Sequence, residues 1–321
     1  MCARRSRASI AGPHPVQPGR HHQERQGLPR RGAIIARLFW GTPRATHRVR
    51  LALAAPGRRW QHAGMRIVSH TASNTEIVCA LGMGAALVGI DADSDHPPDI
   101  VEPLPKLGRD LQFDTGAVAA LEPDVVLSSL TVPGHETVVA GLRTLGVPVH
   151  VADPVSLADV FADIRTIAGL LGVPERGEAL VADMTAAMPD RTDPDGPRIA
   201  VEWWPKPVIV AAGRSWVSDV VARAGGRNPW ADSDEKSVTV EPAAAERCAP
   251  DIVVMSWCGV AEANYRADKV LGRPGWASVP AIAAGRVHAV TEAHLGRPGP
   301  RLVDGYRRIA ELVRSVAATP R

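Results

Sequence analysis

The sequence predicts an α/β protein of two Rossmann-like βα lobes with parallel sheets, joined by a long rigid α-helix. Three observations predict this fold. Short apolar strands alternate with helices, which is typical of βαβ units. The second half of the chain repeats the first in the same order, and residues 156–188 between the halves keep a helical spacing of apolar residues. Two lobes of one design enclose a cleft, and clefts are where ligands bind.

The repeat consists of three matched pairs of segments. Each half opens with an Arg-Ile strand, continues with a Pro-Asp dipeptide before a second strand, and closes with a strand that follows a glycine. The matched ranges are 66–69 with 198–201, 122–129 with 249–256, and 146–151 with 285–290. We therefore expect one lobe over residues 65–153, a linking helical region over 154–196 and a second lobe over 197–321.

In the first lobe, the sequence predicts strands at 66–69, 87–90, 125–127 and 149–152. Ser73 and Glu76 have the S-x-x-E spacing of a capping box, which predicts that Ser73 caps a helix ending at Gly82. Pro133-Gly134 introduces a further helix that runs to Leu145.

The linking segment has turn residues only around 172–177, so we expect one stiff helix rather than a flexible linker. A surface turn over 190–197 precedes the second lobe. There, strands are expected at 199–202, 208–211, 252–256 and 287–290, and helices at 216–224, 242–247 and 301–317.

Residues 1–64 differ in composition from the rest. They contain thirteen arginines, no lysine and one acidic residue, Glu24, whereas residues 65–321 carry 24 basic and 33 acidic residues. The basic character therefore belongs to this segment and indicates no nucleic-acid surface on the folded part. We interpret residues 1–64 as a disordered arginine-rich extension outside the native protein, with Met65 as the start. The alternatives are a targeting peptide or a nucleic-acid-binding arm.

The apolar runs are too short for a membrane helix or a secretory leader, and no lipobox cysteine follows one of them. The four cysteines have neither metal-site nor disulfide-framework spacing, so we expect reduced thiols. Cys258 lies in a loop from which it can contact a ligand.

Ligand contacts are expected beyond the carboxyl ends of the parallel strands. Indole rings offer large flat apolar faces, and three of them fall on or beside these loops: Trp204, Trp216 and Trp257. His294, in the loop after the last strand, is an acid-base group, a ligand to a cofactor metal, or simply a solvated side chain.

The motifs expected of an enzyme are missing from the sequence. Gly82-Met83-Gly84 follows a helix and is no dinucleotide loop, and no G-x-S-x-G elbow or evident His-carboxylate pair is present. We expect no catalytic residue, no metal site and no cofactor. Glu136 and Glu241 stand at helix starts, at roughly equivalent places in the two lobes, where the helix dipole stabilises an acid whatever its role.

Four phrases of the sequence resemble the substrate-binding proteins of ABC transporters that have a helical backbone between lobes, in their vitamin B12-binding and ferric-siderophore-binding branch. The phrases occur at 66–77, 120–126, 224–228 and 296–301, and the likeness spans most of 65–317. It implies a rigid two-lobed protein with small hinge motions. It also implies that one glutamate per lobe, Glu136 and Glu241 by position, forms salt bridges with a permease.

The resemblance is weaker at the ligand. Where B12-binding proteins of this branch have aromatic residues, this chain has Asp93, Asp110 or a neighbour, and His294. We expect these three residues, with Arg297 and the three tryptophans, to contact the ligand.

The resemblance implies a monomeric, non-catalytic component of an ABC importer that binds cobalamin or a related corrinoid between its lobes. It would deliver the ligand to a permease and its ATPase outside the cytoplasm. The alternatives are a ferric-siderophore or heme-type iron chelate as the ligand, a cytoplasmic corrinoid-binding or sensing protein, and an enzyme on the same scaffold.

Overall fold

The structure is a computed structural model, and it describes residues 64–317. The predicted extension over residues 1–64 therefore lies outside the described residues except for Gly64. Among the helices of residues 64–317, none is both long enough and apolar enough to span a bilayer.

The first lobe is built on a four-stranded sheet in the order β2-β1-β3-β4, and every neighbouring pair is parallel. Four helices accompany this sheet. The elements are β1 (Ile67–Ser69), α1 (Ala72–Ala80), β2 (Leu87–Ile90), α2 (Pro98–Val101), α3 (Thr115–Ala120), β3 (Val125–Ser129), α4 (His135–Arg143) and β4 (Val149–Ala152).

The part of the chain between the two sheets forms two helices, α5 (Leu157–Leu170) and α6 (Pro174–Ala187). The prediction of one long helix is therefore wrong. Gly172 has φ of 73°, a left-handed conformation that ends helices, and Pro174 occupies the first turn of α6. The chain therefore reverses, and the two helices pack against each other.

The second lobe contains a five-stranded sheet in the order β7-β6-β5-β8-β9. Its elements are β5 (Ile199–Pro205), β6 (Val208–Ala211), α7 (Trp216–Arg223), β7 (Ser237–Thr239), α8 (Pro242–Cys248), β8 (Ile252–Met255), α9 (Ala267–Leu271), α10 (Pro280–Ala283), β9 (Val287–Ala289), α11 (Glu292–Leu295) and α12 (Leu302–Ala317). Strands β5, β8 and β9 are parallel, whereas β6 is antiparallel to both of its neighbours. Strand β5 therefore extends beyond the predicted strand 199–202 to Pro205, and the chain turns back as a hairpin into β6.

The same hydrogen-bonded clasp begins each lobe, which explains the repeated Arg-Ile and Pro-Asp phrases. The carboxylate of Asp124 accepts from the Arg66 backbone N–H at 2.9 Å, and Asp251 accepts from Arg198 N–H at 2.8 Å. In both lobes the aspartate N–H donates back to the arginine carbonyl at 2.8 Å. Each clasp aligns the first strand of its lobe with the strand that follows the Pro-Asp dipeptide.

The hydrophobic core is continuous between the lobes. Buried residues from α1, α5, α7 and α12 belong to one cluster, which includes Ile77, Ile164, Val217 and Ile309. Helix α5 packs against α1 of the first lobe and α7 of the second. Because interiors are close-packed and transmit strain, this shared core couples the two sheets.

Candidate functional site

Polar contacts cross between the loops of the two sheets. Arg297, after β9, donates to Asp95, after β2, at 2.6 Å. Lys236, just before β7, donates to the Leu130 carbonyl at 3.2 Å and pairs with Asp153. These contacts bring together loops of the two lobes, and the ligand cleft is predicted between these lobes.

The wall of the cleft in the first lobe contains a compact cluster of His70, Asp110 and His135. His70 follows β1 directly, and its Nδ1 lies 2.8 Å from Ser128 Oγ on β3, while its Nε2 lies 2.9 Å from the Asp110 carbonyl oxygen. His135 is the first residue of α4, and its Nε2 contacts Asp110 Oδ1. The two imidazole rings are in edge contact, with centroids 4.9 Å apart.

Gly134 positions His135 at the start of α4. Its φ of 103° is a left-handed conformation that glycine adopts readily, and a Cβ there would lie 2.9 Å from Leu111 Cδ2. The sharp entry to the helix turns the His135 ring inward, where it is 1% exposed.

Burial lowers the pKa of His70 to about 4; the hydrogen bond to the Asp110 carbonyl opposes this shift, and the nearby His135 adds to it. His70 is therefore neutral at physiological pH. A carbonyl oxygen can only accept, so Nε2–H donates to Asp110, and Nδ1 accepts from the Ser128 hydroxyl. Ser128 is fully buried, which keeps this serine-histidine pair from acting as a nucleophile on a substrate in the cleft.

Sequence reasoning predicted Asp110 as a site residue but missed His70 and His135. A usable signal was present, because each histidine lies beyond the carboxyl end of one of two neighbouring parallel strands, β1 and β3. Their convergence with Asp110 depends on the sheet order, which the spacing of the three residues along the chain does not show.

Two of the three tryptophans that were predicted to contact a ligand are buried. Trp216 is 7% exposed and its indole N–H donates to the Leu295 carbonyl at 2.8 Å, while Trp257 is 5% exposed and donates to Glu202 at 3.0 Å. The prediction that these two rings present a face to the ligand is not supported by their positions, because both lie in the core. Trp204 is half-buried at the end of β5, and its N–H donates to the Lys206 carbonyl at 2.9 Å.

Opposite the His70, Asp110 and His135 cluster, the second lobe presents Cys258, Tyr265 and Glu292. The thiol-bearing Cys258 is exposed. The Tyr265 hydroxyl donates to the Trp257 carbonyl and accepts from the Glu292 N–H, each at 3.2 Å. Burial raises the pKa of Glu292; Arg297 opposes the shift, and carboxylates that include Asp110 across the cleft add to it.

Arg297, predicted to contact ligand, instead forms a tie between the lobes. Its guanidinium donates to Glu76 of α1 at 2.9 Å as well as to Asp95, and Arg301 lies 3.4 Å from the same Glu76 oxygen. Burial raises the pKa of Glu76, and Arg297 opposes that shift. Glu76 is thus the partner of an inter-lobe cation and not the residue of a capping box.

The capping-box prediction is wrong because α1 begins earlier than the spacing suggested. Thr71 is the N-cap, Ala72 is the first helical residue, and Ser73 is buried inside the first turn. No side-chain hydrogen bond caps this helix.

The other predicted contacts, Asp93 and His294, both pair with arginines. Asp93 forms an exposed ion pair with Arg109 at 2.8 Å, and His294 Nε2 lies 3.0 Å from an Arg301 guanidinium nitrogen. Burial lowers the pKa of His294, and Arg301 adds to the effect. Both residues lie beside the cleft loops, but their polar groups already have partners.

Glu136 and Glu241 are both exposed at helix N-termini, on α4 and α8. Glu136 accepts from the Gly134 N–H at 2.9 Å, and Glu241 is the N-cap of its helix without a side-chain cap bond. Their predicted equivalence between lobes is wrong, because α4 follows β3 whereas α8 precedes β8, the strand that corresponds to β3 in the repeat.

Comparison with known proteins places this architecture among ligand-binding proteins. The family model described as periplasmic binding protein matches residues 67–293. The chain is 27% identical over 258 residues to the ABC transporter substrate-binding lipoprotein YvrC of Bacillus subtilis, covering 77% of this chain and 79% of that protein. It is 25% identical over 251 residues to the vitamin B12-binding protein of Vibrio cholerae, covering 76% and 87%.

Solved structures show the same two-lobed fold. The apo form of the periplasmic heme-binding protein RhuT from Roseiflexus sp. RS-1 is 29% identical, with a TM-score of 0.68 over 79% of this chain and 99% of that one. Because the family model covers more than half of the sequence, this chain belongs to the periplasmic binding protein family.

Proposed function

We propose that this protein is the substrate-binding component of an ABC importer and that it binds a corrinoid of the cobalamin type between its lobes. The observation that carries the proposal is the pairing of two sheets on a shared core, with polar contacts between the loops of the two lobes. Two sheets that are coupled in this way favour a ligand whose own bulk fills the gap. The similarity to an ABC transporter lipoprotein and to a vitamin B12-binding protein supports the class of function.

The charge of the cleft favours a corrinoid over other metal chelates. Acidic side chains from both lobes approach one another there, as the electrostatic effect of Asp93, Asp95 and Asp110 on Glu292 indicates. A corrinoid carries neutral carboxamides on its rim, whose N–H groups donate to carboxylates. Heme carries anionic propionates and many ferric siderophores carry net negative charge, so carboxylates would repel them.

The second candidate is a heme-type or other iron chelate. The 29% identity to a periplasmic heme-binding protein favours this candidate. The arginines of the cleft could receive its anionic groups, but Arg109 and Arg297 are already paired with aspartates. Binding of an iron chelate would therefore require these ion pairs to break.

The same similarities support an extracytoplasmic location and association with a permease and its ATPase. We propose that the protein is a monomer. Docking would use Glu136 and Glu241, which are exposed. We propose that the protein releases its ligand chemically unchanged.

Calorimetric titration of the purified protein with cyanocobalamin, hemin and a ferric siderophore tests the proposal. We expect saturable binding of cyanocobalamin at micromolar concentration or tighter, with quenching of tryptophan fluorescence and an unchanged absorption spectrum of the ligand released on denaturation. Replacing the half-buried Trp204 by Leu should weaken binding by about tenfold, which corresponds to about 1.4 kcal/mol, because part of a large apolar contact is lost.

The matched control is Trp276→Phe, because Trp276 is fully buried in the core of the same lobe. This variant should leave the affinity unchanged. Saturation by hemin or by the siderophore alone would establish the second candidate, and no heat with any of the three ligands would overturn the proposal.

A further inference from the structure

The two histidines of the cluster of His70, Asp110 and His135 are not used by the proposed ligand function, which draws only on the charge of Asp110. One ligand atom from each of these residues lies within 4.8 Å of the other two. Two imidazoles and one carboxylate form a donor set that suits divalent ions of intermediate softness, above all Zn²⁺ and Co²⁺. Three protein ligands leave at least one coordination position open.

The burial of the two histidines decides what kind of ligand can reach them. His70 and His135 are 0% and 1% exposed, so the rim of a bulky planar chelate cannot contact either ring in this arrangement. A bare ion can pass, because the Asp110 side chain is partly exposed and connects the cluster with the cleft. The observations therefore favour a free metal ion over the metal centre of a chelate.

The His70 ring has a hydrogen-bond partner of the kind that orients metal-bound histidines. Ser128 Oγ lies 2.8 Å from His70 Nδ1, and a hydroxyl can either donate or accept. If the imidazole proton moves from Nε2 to Nδ1, the Nδ1–H donates to Ser128 Oγ, the hydrogen bond to the Asp110 carbonyl is given up, and the Nε2 lone pair becomes available to a metal. Such outer hydrogen bonds commonly fix the tautomer of metal-bound histidines.

His135 supplies a second observation that points to a ligand. Its Nδ1 is buried and has no hydrogen-bond partner among the described residues, while its Nε2 contacts Asp110 Oδ1. A metal ion bound by Nε2 and by the Asp110 carboxylate would take the place of the direct contact between these two groups.

We propose that His70, Asp110 and His135 form a binding site for one divalent transition-metal ion, of which Zn²⁺ is the best match. From the second lobe, Cys258 and Glu292 interact electrostatically with Asp110. Burial raises the pKa of both groups, so the three residues of the first lobe carry the proposed site.

Metal titration of the full-length protein, stripped with a chelator, tests this site without any corrinoid. Co²⁺ is the probe, because its visible absorption reports coordination by nitrogen and oxygen, and Zn²⁺ competition gives the affinity. The variants are Asp110→Asn, His135→Gln and the matched control Asp93→Asn, a carboxylate of the same wall that pairs with Arg109.

We expect one equivalent of Co²⁺ that is displaced by Zn²⁺ in the parent protein and in Asp93→Asn. Affinity at this site should fall at least tenfold in Asp110→Asn, and the site should be lost in His135→Gln. The sequence has further histidines before residue 64, so only the difference between variants counts. Asp110 is partly exposed, and Asp110→Asn therefore keeps the test valid if His135→Gln fails to fold.

Equal stoichiometry and affinity in all four proteins, or no binding of either ion, would overturn the metal site. Neither result bears on the calorimetric titrations with corrinoid, heme or siderophore, which fail or succeed separately.

Discussion

Asp163 illustrates how a single buried charge affects this protein. It lies on α5 with its side chain 21% exposed, and burial raises its pKa to about 7, with Asp159 and Asp153 adding to the shift. His150 Nε2 is 3.8 Å away, but burial lowers the pKa of His150, so it offers no positive charge at neutral pH. Above pH 7, folding therefore buries an uncompensated carboxylate.

We predict that Asp163→Asn stabilises the protein at pH 8 by about 1 to 2 kcal/mol and has little effect below pH 4. The folded-state pKa is raised, so between about pH 4 and 7 the folded protein binds more protons than the unfolded chain. Stability contributed by Asp163 is consequently lost as the pH rises through this window. Urea unfolding at several pH values measures the effect.

The control for this prediction is Asp183→Asn, which changes an exposed aspartate on α6. It should leave the free energy of unfolding nearly unchanged at each pH. A parallel effect of the two substitutions would mean that overall charge, rather than burial of Asp163, sets the pH dependence.

At the same scale, the sequence predicted which loops carry the candidate site better than which side chains meet in it. Asp110 was predicted and does join the cluster, whereas His70 and His135 were missed. Trp216 and Trp257 lie on or beside the predicted loops, but their rings turn into the core and their N–H groups bond to Leu295 and Glu202. The direction of a side chain depends on neighbours that are distant in sequence, so local pattern does not determine it.

At the scale of the elements, two closely packed helices, α5 and α6, stand in place of the one long helix that was predicted. Gly177 on α6 lies against Ala168 on α5, and a Cβ at Gly177 would come within 2.5 Å of the Ala168 Cβ. Gly169 on α5 has no atom within 4 Å of the corresponding position. The two glycines thus have the same helical propensity and opposite surroundings.

We predict that Gly177→Ala destabilises the protein by about 1 to 3 kcal/mol, because overpacking outweighs the gain in helix propensity. The matched variant Gly169→Ala should instead stabilise it by about 0.5 to 1 kcal/mol. Denaturant unfolding measures both. Adding Ala168→Gly to Gly177→Ala should restore much of the loss, and a Gly177→Ala protein as stable as Gly169→Ala would show that the helices pack differently.

Most strands could be predicted because their apolar runs and flanking turns are local signals. The prediction of 208–211 matches β6, and that of 252–256 exceeds β8 by one residue. The single linking helix was wrong because apolar spacing continues across the break, while Gly172 and Pro174 determine the reversal. The hairpin of β5 and β6 was not predicted, because the first strand was expected to end at residue 202 whereas β5 continues to Pro205.

In the whole molecule, the shared core and the ion pairs across the cleft constrain the lobes together. Helix α5 contacts α1 and α7, and Arg297 and Lys236 bridge the loops above. Opening the cleft widely would disrupt both. This arrangement favours small changes in the separation of the lobes, so Glu136 and Glu241 should keep a nearly constant spacing with and without ligand.

We predict that replacing both Glu136 and Glu241 by Ala weakens association with the partner permease and its ATPase in nanodiscs by at least tenfold. The ligand affinity should stay unchanged, because both side chains are exposed. Each lost interfacial ion pair removes about 1 kcal/mol or more. Binding to immobilised nanodiscs and calorimetry with the ligand measure the two quantities.

The control pair is Glu175→Ala with Glu178→Ala, which removes two exposed acids from α6. If the control variant weakens association with the permease equally, net charge and not these two positions determines the effect. Loss of ligand affinity in the Glu136 and Glu241 variant would assign these residues to the cleft instead.

The contact between Glu76 and Arg297 also has a consequence for biosynthesis. The two residues are 221 positions apart, so the ribosome completes the entire first sheet long before the guanidinium exists. Until then, a carboxylate destined for the interior has no cation beside it, and α1 cannot settle in its final place. This native contact therefore forms only near the end of translation.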